Sequence, residues 1–113
     1  MESILTSIKK LLGITEEYVH FDADIIMHIN SVFMILTQIG VGPSEGFSIT
    51  SNHEVWNNFI PEGQTLEAVK SYVYLKVKLL FDPNMSSAVL ESTNALIREL
   101  EWRLNVAAES NQS

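Results

Sequence analysis

Apolar positions recur along this chain with the period of helices. Ile4, Leu5, Ile8, Leu11 and Leu12 follow i, i+3, i+4, i+7 spacing, with Ser3 where an N-cap belongs and Gly13 where a left-handed glycine ends a helix. They predict a short first helix. A second is predicted over about residues 22–39, capped by Asp22 or Asp24, ended by Gly40, and carrying an inward stripe of Ile25, Ile26, Ile29, Val32, Phe33 and Leu36. Met27 and Met34 stand seven positions apart and project nearly opposite Ile29. Their flexible thioethers suit either an irregular contact with a neighbouring protein or loose packing within the domain.

Residues 40–52, GVGPSEGFSITSN, read as a loop in which 47–50 can form a short strand. Ser51 followed three residues later by Glu54 matches a capping box for a short helix carrying Val55, Trp56 and Phe59, with Trp56 as a lid over the end of the core. The stretch 65–81 is rich in tyrosine and valine, so its middle can pass for a strand. Its period decides for a helix: Leu66, Val69, Val73, Val77 and Leu80 share one helical line, and the length exceeds an ordinary strand. Pro83 then stops it. The rest of its circumference is apolar as well, with Tyr72 and Leu79 on one flank, Tyr74 and Phe81 on the other and Leu75 opposite Val73. Glu67, Ser71 and Lys78 mark its wet strip, and such a helix is buried on several sides.

A last helix is predicted from Ser86 or Ser87 to about Asn105, with Leu90, Thr93, Leu96, Ile97, Leu100 and Leu104 facing the core. Trp102 falls on the far side with Ala88 and Ala95, which makes it either an interface residue or a side chain covered by the first helix. The picture is mainly α: a small bundle of four to five helices as one domain over residues 1–105, followed by a flexible polar tail at 106–113. Its core is Ile29, Phe33, Val73, Val77, Leu80, Ile97 and Leu100. The candidate contact residues are Met27, Met34, Tyr72, Tyr74, Leu75, Lys78, Phe81 and Trp102.

Composition narrows the function. The chain has 113 residues, 46% of them hydrophobic and 19% charged, enough for one core and near the small end for stability. It has no cysteine, so disulfides, thiolate metal sites and thiol chemistry are excluded. The start is amphipathic and carries Lys9 and Lys10, unlike a secretory signal, and no apolar run approaches a membrane span. These features predict a cytoplasmic product that needs no membrane. Fourteen acidic against seven basic residues give a net charge of −7, the wrong sign for gripping phosphates. A channel that lets a duplex slide past is compatible with it.

No residues converge on chemistry. His20, Asp22, Asp24 and His28 are metal-ligand types, but on a helix starting at Asp22 they point apart. Gly40 and Gly42 form a GxG after a helix instead of after a strand, the wrong context for a dinucleotide loop. Glu16 with Glu17, and Glu99 with Glu101, are not neighbours on one helix face. Alternating tyrosines and lysines at 72–78 can stack nucleic acid, but they lie on the helix predicted to be most buried. We expect no enzyme, cofactor or metal.

The order LLGI, QIGVG, GFSI, WNNF, YVYLKVKLLFDP and ELEWRLN resembles the small head-tail connector, or adaptor, proteins of tailed phages and prophages of Gram-positive bacteria. The likeness spans residues 11–105 and is strongest in VKSYVYLKVKLLFDP and ELEWRLN. It implies a helical virion protein, made in the host cytoplasm, that forms a ring between the portal and the tail-completion protein. The ring would follow the portal's twelve-fold symmetry and extend the channel through which DNA passes without specific binding. The alternatives are a small DNA-packaging factor like a terminase small subunit, which calls for a basic helix-turn-helix, and a generic helical interaction module.

Overall fold

The computed structural model describes residues 2–82 and 84–112, and for 111 and 112 the backbone only. The chain forms α1 (Ile4–Leu11), α2 (Asp22–Ile39), a 3-10 turn at Trp56–Asn58, α3 (Gln64–Phe81) and α4 (Ser87–Gln112). Among the described residues there is no strand. The one bridge joins Ser3 to Val55, where the Ile4 amide donates to the Glu54 carbonyl at 2.9 Å. Residues 47–50 thus carry no regular secondary structure.

Local chemistry sets the helix ends. Ser3 Oγ accepts the Thr6 amide at 2.9 Å and caps α1. At its other end Gly13, at φ +82°, donates to the Lys10 carbonyl while Ile14 donates to that of Lys9, the paired bonds of a Schellman motif. α2 ends the same way: Gly40, at φ +101°, donates to Thr37, and Val41 to Leu36. The start of α2 differs from expectation. Phe21 occupies the cap position without a side-chain bond, and Asp22 and Asp24 lie inside the first turn, where their charges favour the helix dipole. Asp22 is held instead by Lys9, whose Nζ lies 2.8 Å from Asp22 Oδ1 and donates to the Glu16 carbonyl at 3.1 Å. That lysine side chain is only 3% exposed.

The predicted capping box at Ser51 forms in part, ahead of the 3-10 turn. Glu54 accepts the amides of Thr50 and Ser51, and Ser51 Oγ accepts the His53 amide. The turn itself is capped by Asn58 Oδ1 on the Val55 amide at 2.9 Å. Trp56 is buried as a lid, its indole donating to Ser7 Oγ at 2.9 Å. α3 ends at Phe81, as expected of a helix facing a proline, although Pro83 lies outside the described residues.

α3 is the centre of the domain, packing extensively on α2 and on α4, while α1 closes over α2. The whole measures 43 × 35 × 20 Å. Ile29, Phe33, Val73 and Val77 are fully buried, Ile97 nearly so, and Leu100 is half-buried against them. Leu80 corrects the expected core: it is 51% exposed. Its direction is right, but it sits in the last turn of α3, where an open groove replaces the core. Leu90 and Leu96 are likewise exposed, because the first turns of α4 run clear of the core layer and close packing resumes at Ile97. α4 also continues beyond Asn105 to Gln112, with Ala108 buried, where the sequence predicts a loose tail.

The long loop packs onto the same core through aromatic rings. Phe33, Phe47 and Phe59 meet with ring centroids 4.7–5.3 Å apart, and Trp56 joins at 6.3 Å from Phe33. Asn30 fixes the backbone above them, its Nδ2 donating to the Ile49 carbonyl at 2.9 Å and its Oδ1 accepting the Ile49 amide at 2.8 Å. One side chain thereby does what a neighbouring strand would do.

Candidate functional site

Besides Val89, Leu90 and Leu96 in the exposed first turns of α4, apolar residues left uncovered by this fold gather on three faces. The first is the outer side of α2, where Met27 is 58% and Met34 61% exposed, with exposed Ser31 between them. Ile29 draws the opposite side of the helix into the core, and a period of 3.6 residues leaves both methionines outward. The second is the outer side of α4. Trp102 there is 65% exposed, so the first helix does not cover it. Within a turn of Trp102 the charges are mostly committed: Glu99 pairs with Arg103 at 2.9 Å, and Glu101 accepts the Tyr72 hydroxyl at 2.6 Å. Exposed Arg98 makes no ion pair among the described residues.

The third face is an open groove of about 600 Å³ between α1, the start of α2 and the end of α3. Leu11, Leu12, Phe21 and Phe81 line it, with Leu80 at its side, and Phe21 stacks edge-on against Phe81 at 5.2 Å. Exposed Tyr18 and Val19 continue the apolar surface beyond it, Tyr18 lying 5.8 Å from the Phe21 ring. Asp24, Asp82, Lys78 and His28 supply its polar side. Lys78 rests over the Tyr74 ring at 5.7 Å from the centroid, a cation–π placement.

The candidate contact residues therefore separate. Met27, Met34 and Trp102 are well exposed, and Tyr74, Leu75, Lys78 and Phe81 are half-buried. Tyr72 is a correction, since it is fully buried between α3 and α4 and is unavailable to any partner or to a stacking base. Burial, reinforced by its bond to the Glu101 carboxylate, pushes its phenol well above the usual tyrosine range. The alternation of tyrosine and lysine at 72–78 thus has one ring inside and one at the surface.

Among the described residues no three histidine or acidic side chains converge on a metal position. Asp22 is engaged by Lys9, while Asp24 and His28 look into the groove. Glu54 is a local clasp. Its partial burial works against the charge, but hydrogen bonds from Thr50, its own amide and Ser51 outweigh this and hold its carboxyl below the usual range. No helix among the described residues is long and apolar enough to cross a membrane.

Periodicity could not reveal the buried Lys9, the Asn30 clasp or the groove, since each depends on how separate segments meet. Exposed Leu80 and the exposed start of α4 depend on where the core layer ends. No curated protein and no solved structure matches the chain significantly. A family model described as "Phage connector protein" matches residues 4–111, all four helices but for the last residue of α4. The chain therefore belongs to the phage connector proteins, and its role is structural, at the junction of phage head and tail.

Proposed function

We propose that the chain forms a ring between the portal and the tail-completion protein, extending the DNA channel and joining head to tail. The observation that carries this is the coincidence of connector membership over nearly the whole chain with three separate uncovered apolar faces on one small domain. A closed ring uses two different faces of each subunit, and docking between two further proteins needs others. Connector membership points to assembly and not to catalysis. The net charge of −7 suits a channel wall that passes DNA without holding it.

Met27, Met34, Tyr74, Leu75, Lys78, Phe81 and Trp102 are the residues we assign to contacts with neighbouring subunits, portal or tail proteins. α4 runs on to residue 112, beyond the stretch that carries Trp102. The test is imaging of the purified chain with and without its portal by negative stain. A ring capping the portal supports the proposal, and a chain that leaves the portal bare contradicts it. DNA binding measured across salt separates the packaging-factor alternative, which demands steeply salt-dependent affinity.

A further inference from the structure

The α4 face and the groove carry complementary features. On α4, Trp102 and Arg98 stand one turn apart, and Arg98 is the charge near Trp102 that no ion pair occupies among the described residues. The groove offers apolar Leu11, Phe21 and Leu80, together with Asp24 and Asp82, neither in an ion pair among the described residues. Asp82 also caps the C-terminal end of α3, whose dipole adds negative potential at that point. Lys78 is the one lysine or arginine among the described residues lining the groove, and it lies over the Tyr74 ring. The two faces belong to different parts of one molecule: the groove lies on the α1 and α2 side of α3, whereas the Trp102 face points away from the core on α4. A contact between them is necessarily heterologous, the type that closes rings.

We propose that these are the two halves of one self-association contact: the Trp102 and Arg98 face of one copy enters the groove of the next. Trp102 covers Leu11, Phe21 and Leu80, and Arg98 meets Asp24 and Asp82. The proposal deepens the ring reading and rests on it. The Met27 and Met34 face is left for other proteins.

The experiment is sedimentation velocity of the full chain up to about 1 mM, where even a weak contact populates oligomers. Wild type is compared with Arg98→Asp, Asp82→Arg and the double reversal, all at exposed positions and checked for unchanged melting. Each single reversal should weaken association about tenfold, and the double should recover most of it. Because the natural chain has no cysteine, Leu80→Cys with Trp102→Cys in one chain gives a second readout. Oxidation should yield a ladder of covalent oligomers, absent when Met27→Cys replaces Trp102→Cys.

A monomeric wild type, single reversals without effect, a double that fails to recover, or no ladder overturns the pairing. If the chain still rings the portal in any of those cases, the ring stands and these faces are not its contact. Reversals that impair portal binding while leaving self-association intact assign the groove to the portal and equally overturn it. A chain that neither associates nor binds the portal overturns both readings.

Discussion

Replacing Asn30 by alanine should cost far more than its half-buried position on α2 suggests. The amide makes two bonds to one residue, donating to the Ile49 carbonyl at 2.9 Å and accepting the Ile49 amide at 2.8 Å, and the Ile49 side chain is itself buried. Alanine leaves both backbone groups without their partner. A buried polar group left unpaired costs about 1–3 kcal/mol, and partial access of water at Asn30 favours the lower end for each, giving about 2–3 kcal/mol together. For a domain of this length, with an unfolding entropy of about 2.1 cal/mol/K per residue, that is a fall in Tm of about 8–12 °C. Urea or thermal unfolding followed by circular dichroism measures it, and hydrogen exchange at the Ile49 amide localises it. The neighbouring exposed Met34→Ala should shift Tm by no more than about 2 °C, because surface changes stay within about 0.5 kcal/mol. A similarly small shift for Asn30→Ala, or an Ile49 amide that exchanges as slowly as before, would refute the clasp.

Further predictions follow from other contacts. Gly42→Ala should destabilise by at least about 2 kcal/mol, because its φ is +90° and a Cβ would sit 2.3 Å from the Phe59 ring; a melting temperature equal to wild type contradicts this. Val73→Ala, at a fully buried site, should lose about 2–3 kcal/mol through lost burial and a cavity, whereas Trp102→Ala should weaken assembly more than it lowers Tm; equal melting losses would make Trp102 core. The folded-state pKa of Tyr72 is raised above the unfolded value of about 10, so its contribution to stability is complete below that pH and lost as pH rises beyond it. Urea midpoints from pH 8 to 11 should accordingly fall more steeply for wild type than for Tyr72→Phe, and parallel curves refute the assignment.

Much of this fold was legible in the sequence because its helices are punctuated locally. Ser3, Gly13 and Gly40 cap or end their helices through bonds to residues no more than five positions away, so their roles follow from spacing. The Val73 and Val77 line was legible for the same reason. Tyr72 was not: it lies on a flank of α3, and only the antiparallel approach of α4 supplies the Glu101 carboxylate that makes burial of its hydroxyl tolerable. Leu80 and Leu90 share the right helical direction with core residues but sit where adjoining helices no longer cover them. Lys9 illustrates the converse, a charge pattern that reads as wet but is drawn inside by Asp22 and a carbonyl from the following loop. Of the contact residues, the outward direction of Met27, Met34 and Trp102 followed from period alone. The groove joins three elements and has no signature in any one of them.

The central claim is that this connector protein completes a ring on the portal, and native mass spectrometry of the reconstituted complex tests it most directly. The account predicts one discrete complex holding one copy of this chain for every portal subunit, reached without partly filled species at saturation. A portal that retains its own mass in excess connector protein, or that takes up a scattered and unsaturating number of copies, would contradict it.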